Sequence, residues 1–202
     1  MLKLLGLLGV MTSTFALAMP VYYARKTAGY SARFNTLSEL GEIGSPHQKS
    51  VSRFYFLPLS LAIITFVLFS QSAISFLTQE TLVWALLGLV GVGYLIAALF
   101  PCDSGSPIGG SVSNQIHNVA GLFEYLGSGV GLILMGVLSY RSSASLQVAV
   151  YLILSGSVIL LSLVLMLLPS FSHIRGWVQR LAEASFFTWM LTVSLLLLLG
   201  DD

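Results

Sequence analysis

The sequence predicts an all-α polytopic membrane protein: a single domain over residues 1–202 in which six transmembrane helices form a bundle with short connections. Three observations carry that expectation. Of 202 residues, 56% are hydrophobic and only 8% charged, about a third of the charged content of a soluble domain, and the mean hydropathy is +0.90. The apolar residues fall in charge-free runs near the ~20 residues that a spanning helix needs. Those runs are apolar on every face, without the alternation that marks a membrane β-barrel.

Taken in order, the runs give helices near 4–24, 54–77, 81–100, 117–139, 146–168 and 176–199. The first, Leu4–Ala24, follows Lys3 and contains Ala16-Leu17-Ala18, as a secretory signal with a cleavage site would. Its apolar stretch continues to Tyr23 and stops at Arg25-Lys26, so it is read as a retained helix. The second and third occupy Phe54–Gln79 and Thr81–Cys102, the third closed by Pro101. The fourth and sixth, Tyr125–Tyr140 and Ala184–Gly200, reach full length by taking in Glu124 and Glu183. The fifth lies within Ser142–Ser172.

Loop charge sets the expected orientation. Arg25, Lys26, Arg33, Lys49, Arg53, Arg175 and Arg180 lie on the odd-numbered connections, and only Lys3 and Arg141 on the other side. Residues 25–53, 101–116 and 169–175 are therefore expected in the cytoplasm, with both termini outside, in a cell membrane. The same cations would attract anionic headgroups, so membrane lipids are the expected partners. A net charge of +1 leaves no basic field for nucleic acid. Cys102, alone, excludes an internal disulfide and a multi-cysteine metal site. Gly127 and Gly131, with Gly88, Gly91, Gly93 and Ala97 on the third helix, read as close helix contacts.

The few polar groups gather on the side of the odd connections. Asn35, Ser38, Glu39, Glu42, His47, Asp103, Asn114, His117, Asn118 and His173 are there, whereas the opposite side has Glu80, Arg141, Asp201 and Asp202. On the fourth helix His117, Gly121, Glu124, Ser128 and Gly131 are spaced 4, 3, 4 and 3 and form one stripe. Glu124 then lies about 10 Å below His117, deep enough that its carboxyl must be protonated, paired or facing a wet cavity. Other candidates have simpler roles open to them. Glu183 can pair with Arg180 one turn away, Asp103 can cap the fourth helix, and Thr36 with Glu39 can close a capping box.

Zinc is the cofactor the residue types allow, with His47, His117, His173 and Asp103 as ligands. No histidine pair has helical spacing, so such a site depends on packing, and otherwise no cofactor is expected. Haem is disfavoured because the histidines sit at helix ends. A serine nucleophile working with His117 and Asp103 has no elbow motif to mark it.

Three segments recur together in order: Asn35-Thr36-Leu37-Ser38-Glu39-Leu40-Gly41, Phe100-Pro101-Cys102-Asp103, and His117-Asn118-x-x-Gly121. In this the chain resembles the six-helix integral membrane proteins of domain-of-unknown-function family 998 over most of its length. The His-Asn-x-x-Gly segment is similar, more remotely, to membrane families tied to autophagy modulation and GPI-lipid remodelling. The resemblance implies a six-helix bundle with one motif-bearing side, where Ser38, Glu39, Asp103 and His117 form a site. It carries over no activity, and Glu124 stands outside its motifs.

Three functions follow as expectations. The first is binding or transport of a lipid or small molecule by Ser38, Glu39, Asp103, His117, Asn118 and Glu124, at the mouth of a pocket among helices one, two, four and six. The second is an intramembrane lipid hydrolase or transferase, with Asp103, His117 and Glu124 as catalytic candidates, metal-dependent or acid–base. The third is a non-catalytic scaffold whose glycine faces recruit a partner.

Overall fold

The computed structural model describes residues 1–73, 80–142 and 144–200. Six helices long and apolar enough to cross a membrane run through them: α1 (Leu2–Lys26), α2 (Gln48–Ala73), α3 (Thr81–Leu99), α4 (Val112–Arg141), α5 (Leu146–Leu167) and α6 (Arg175–Leu199). Short 3-10 helices at Ser38–Gly41 and Pro169–Ile174 lie in the connections. The protein is a multi-pass membrane protein of the expected class.

Two helices start earlier than their apolar runs. The first turns of α2 hold Lys49 and Arg53, both exposed, so the helix begins before its charge-free run does. For α4 the start is fixed by Ser111, whose hydroxyl accepts the Asn114 N–H at 3.2 Å, a serine N-cap. The expected end of the second helix at 74–77, and Asp201 and Asp202, lie outside the described residues.

Each helix packs on the next, and α6 returns against α1, so the six close into a ring. Without a hydrophobic drive between helices in lipid, close approach of small residues supplies the contact. Gly6 and Gly9 of α1 meet Ser194 and Leu198 of α6 and Phe66 of α2; Gly127 and Gly131 of α4 meet Leu86, Leu87 and Leu89 of α3; Gly129 and Gly136 meet α5. The Gly127–Gly131 pair is thus occupied inside the ring. Aromatic side chains fill the ring interior, among them Tyr55, Phe56, Tyr94, Phe187 and Trp189. A π-helical turn at Ser52–Phe56 widens α2 where Tyr55 and Phe56 turn inward, with Phe56 edge-on to Tyr94 at 5.7 Å.

The three odd connections interlock into a cap over one end of the ring. Ser104 Oγ and Gly105 N donate to the Glu42 carboxylate at 3.1 and 2.7 Å, and Ile43 N donates to the Cys102 carbonyl at 2.8 Å. Arg180 donates to the carbonyls of Ala32 and Asn35, at 3.0 Å each, and to the Tyr30 hydroxyl at 2.6 Å. The first connection reaches α6 so closely that a Cβ on Gly176 would strike the Ala32 and Asn35 carbonyls. This geometry corrects the expected Arg180–Glu183 pair: Arg180 is spent on loop carbonyls, and Glu183 turns into the ring.

Candidate functional site

Where the cap meets the bundle, the Ser38 hydroxyl lies 2.9 Å from His117 Nε2, and His117 Nδ1 lies 3.0 Å from the Phe100 carbonyl. A carbonyl only accepts, so Nδ1 carries the proton; the neutral ring then presents Nε2 as an acceptor, and Ser38 donates to it. The Phe100 carbonyl is free for this because it sits at the C-cap of α3, where helix carbonyls lose their intrahelical partners. Pro101 follows it, and its ring stops the helix.

The side chains around this pair hold its backbone in place. Glu39 accepts from Thr36 N and Thr36 Oγ1 at 2.8 and 3.0 Å and from Asn35 Nδ2 at 2.6 Å. Only the carboxylate half of the expected capping box forms, because Thr36 Oγ1 donates to Glu39 instead of accepting its N–H. Arg175 joins Glu39 in an ion pair at 3.0 Å and donates to the Gly105 and Ser106 carbonyls at 2.7 and 3.1 Å. Gly105 and Ser106 both have positive φ, 75° and 45°, a conformation rarely found at a non-glycine residue. Leu37 N donates to Gln179 Oε1 at 2.6 Å, fixing the residue before Ser38 against α6.

Asp103 does not reach the pair. Its carboxylate accepts from Ser111 N and Ser111 Oγ, both at 2.7 Å, and these hydrogen bonds hold the carboxyl below the usual carboxylate range. The position behind His117 that a carboxylate would take belongs to the Phe100 carbonyl. Asn114 is a second staple: its Oδ1 accepts from Asp103 N at 2.9 Å, and its Nδ2 donates to the Pro107 and Gly109 carbonyls. Asn118 donates to the Pro107 and Ile108 carbonyls at 2.7 and 3.2 Å. Beside them the buried Cys102 thiol is pushed up to about 12, chiefly by desolvation.

Below His117 the acids converge. Glu124 and Glu183 are buried, at 8% and 7% exposure, and both border one small cavity. Tyr125 and Tyr94 donate to Glu183 at 2.6 and 2.9 Å, and Gln179 Nε2 donates to the Tyr125 hydroxyl at 3.1 Å. Gly93 makes the room, since a Cβ there would collide with the Glu124 carboxylate. A hydrogen-bonded chain thus runs from Leu37 through Gln179 and Tyr125 to the acids.

Two cavities meet at His117. The outer one, about 410 Å³, is lined by the cap at Thr36, Ser38 and Ser106–Ile108, by α4 from Gln115 to Tyr125, by Leu163, Met166 and Leu167 of α5, and by Arg175 and Gln179. The inner one, about 40 Å³ and large enough for water, is bordered by Ser38, His117, Gly121, Glu124, Tyr125 and Glu183. Helices α4 and α5 touch at Gly129 and Gly156, but a Cβ on Gly121 would meet nothing within 4 Å. The helices therefore part toward the cap, and the outer pocket fills the gap. It lies among helices four, five and six, not among one, two, four and six as expected.

The remaining candidates stand apart. His47 Nε2 donates to the Lys26 carbonyl at 3.2 Å, and His173 is exposed, with its own carbonyl accepting from Arg33 Nε at 3.3 Å. Among the described residues no group of three His, Cys, Asp or Glu is gathered as a metal ion would need. Sequence reasoning missed Gln179, Tyr94 and Tyr125 as site members, and Arg175 beyond its charge. Two hydroxyl-bearing rings beside or within charge-free runs were the available signal, because a buried tyrosine hydroxyl needs a partner.

The family described as "protein of unknown function (DUF998)" matches residues 10–196. No curated protein and no solved structure matches the chain.

Proposed function

From the premise that the chain belongs to the DUF998 family, we propose that it binds a lipid or similar amphiphile in the pocket between α4, α5 and α6. The observation that carries this reading is the pocket's mixed lining. Ser38, His117, Asn118, Arg175 and Gln179 supply polar side chains, while Leu122, Leu163, Met166 and Leu167 supply apolar ones. A volume of about 410 Å³ lies within the range of small-molecule sites. Ile108, Val119 and Leu167 among its lining residues are 71%, 53% and 50% exposed, so the pocket carries exposed apolar surface suited to the chain of an amphiphile.

The scaffold reading ranks lower because the glycine faces are used within the ring. By the positive-inside rule the cap lies in the cytoplasm of a cell membrane.

The test is thermal unfolding of detergent-solubilised protein with added phospholipid, lysophospholipid or fatty acid. A ligand of the folded state raises the melting temperature by mass action. At least one amphiphile class is expected to do so for wild type and to fail for Gly121→Leu, whose Cβ meets nothing within 4 Å and whose side chain would take up pocket space. If no class shifts the wild-type transition, the reading is wrong.

A further inference from the structure

We propose that Ser38 is a nucleophile activated by His117, and that the pocket is the active site of an esterase or acyltransferase for acyl esters of amphiphilic alcohols. This rests on the binding reading above and adds a reaction to it. Three observations carry the proposal: the 2.9 Å contact of Ser38 Oγ with His117 Nε2, the tautomer imposed by the Phe100 carbonyl, and the opening of both side chains onto one pocket.

A nucleophile, a base within hydrogen-bond reach and a third group orienting that base make up the arrangement that activates a serine. Here the orienting group is a main-chain carbonyl. Ser38 lines the pocket together with Leu163, Met166 and Leu167. An amphiphile that lays its chain along those three residues brings its ester linkage to Ser38.

The step balances without a further reagent except the acceptor. Ser38 Oγ attacks the ester carbonyl carbon while its proton passes to His117 Nε2. The bond from carbon to the alcohol oxygen breaks, and Nε2 returns the proton to that oxygen as the alcohol leaves. Water, or a second alcohol, then attacks the acyl-serine with its proton taken by Nε2. The new C–O bond forms, the bond to Ser38 breaks, and the proton returns to Oγ. Gln179 carries a second amide N–H beyond the one given to Tyr125 and lines the same pocket, a neutral donor for the oxyanion.

Acyl esters are favoured over phosphoesters by charge. Arg175 is the guanidinium that lines the pocket, and it is already committed to Glu39 and to two carbonyls. The more highly charged phosphoryl transition state needs cations to clamp it, whereas a single oxyanion is served by neutral donors.

The experiment treats the full chain in detergent with a fluorophosphonate and locates the adduct by peptide mass spectrometry. Labelling is expected at Ser38, absent in Ser38→Ala, and slowed about a hundredfold or more in His117→Gln, the usual scale of general-base assistance. Melting temperatures confirm that each variant is folded. As a second readout, Ser38→Cys is expected to react with iodoacetamide, while the buried Cys102 of wild type does not. Hydrolysis of p-nitrophenyl esters is expected to favour long acyl chains and to vanish in Ser38→Ala.

A folded wild type that takes no label at Ser38, or labelling that His117→Gln leaves unchanged, overturns the proposal. If amphiphiles still stabilise that unlabelled protein, the binding reading survives alone. Labelling at Ser38 without stabilisation by any amphiphile supports the nucleophile and removes the binding reading.

Discussion

Asp103 carries the clearest electrostatic prediction at the residue scale. Hydrogen bonds from Ser111 lower its carboxyl in the folded protein, so the ionised form is favoured by folding. That stabilisation is fully present above the ordinary aspartate range, about pH 4, and is lost as the pH falls through the lowered value. The melting-temperature gap between wild type and Asp103→Asn is therefore expected to be widest at neutral pH and to close in acid. A constant gap would show that the Ser111 contacts do not depend on charge. A place for Asp103 at the start of the fourth helix was legible in the sequence, although the cap itself is Ser111, which Asp103 holds through its N–H and hydroxyl. The Ser38–His117 pair was not, because its members lie 79 positions apart and their third partner is a main-chain carbonyl, which no residue type announces.

At the scale of the element, α4 is two helices in function. Its outer half borders the cavities, and its inner half is closed by glycines against α3 and α5. A Cβ on Gly129 would lie 2.6 Å from the Leu160 side chain and 3.1 Å from the Gly156 carbonyl. Overpacking of this kind costs about 1–3 kcal/mol, so Gly129→Leu is expected to lower the melting temperature markedly, while Gly121→Leu leaves it near wild type. Equal losses in the two variants would mean that α4 and α5 do not part toward the cap. The helices themselves were readable because hydropathy is a local property of the chain. Their starts were less so: with Ser111 as its N-cap, α4 begins at Val112, five residues before the expected start at His117.

For the whole molecule, the cap is a charged, hydrogen-bonded end, whereas the opposite end has few charged residues in the sequence. Single cysteines test its side of the membrane. With an impermeant maleimide on intact cells, Ser142→Cys is expected to label at once and Ser104→Cys only after permeabilisation, both positions being exposed. The reverse pattern would place the cap outside. That the polar groups share one end followed from counting loops. Which helices wall the pocket did not follow, because that depends on how the ring closes, and nothing in a hydropathy pattern says that α6 returns to α1.

That closure has a consequence for biosynthesis. Of the six helices, α6 is the last to leave the ribosome, and it brings Gln179, Arg180 and Glu183, the residues that anchor the Ser38 loop and complete the acid pair. Until then Gly6 and Gly9 of α1 lack Ser194 and Leu198 of α6, though Gly9 keeps its contact with Phe66 of α2, and the loop bearing Ser38 lacks its anchors on α6. A chain with five helices inserted therefore holds the pieces of the pocket without the pocket. The seam that finishes the ring also assembles the candidate site, so a partly made chain lacks that site until α6 has joined α1.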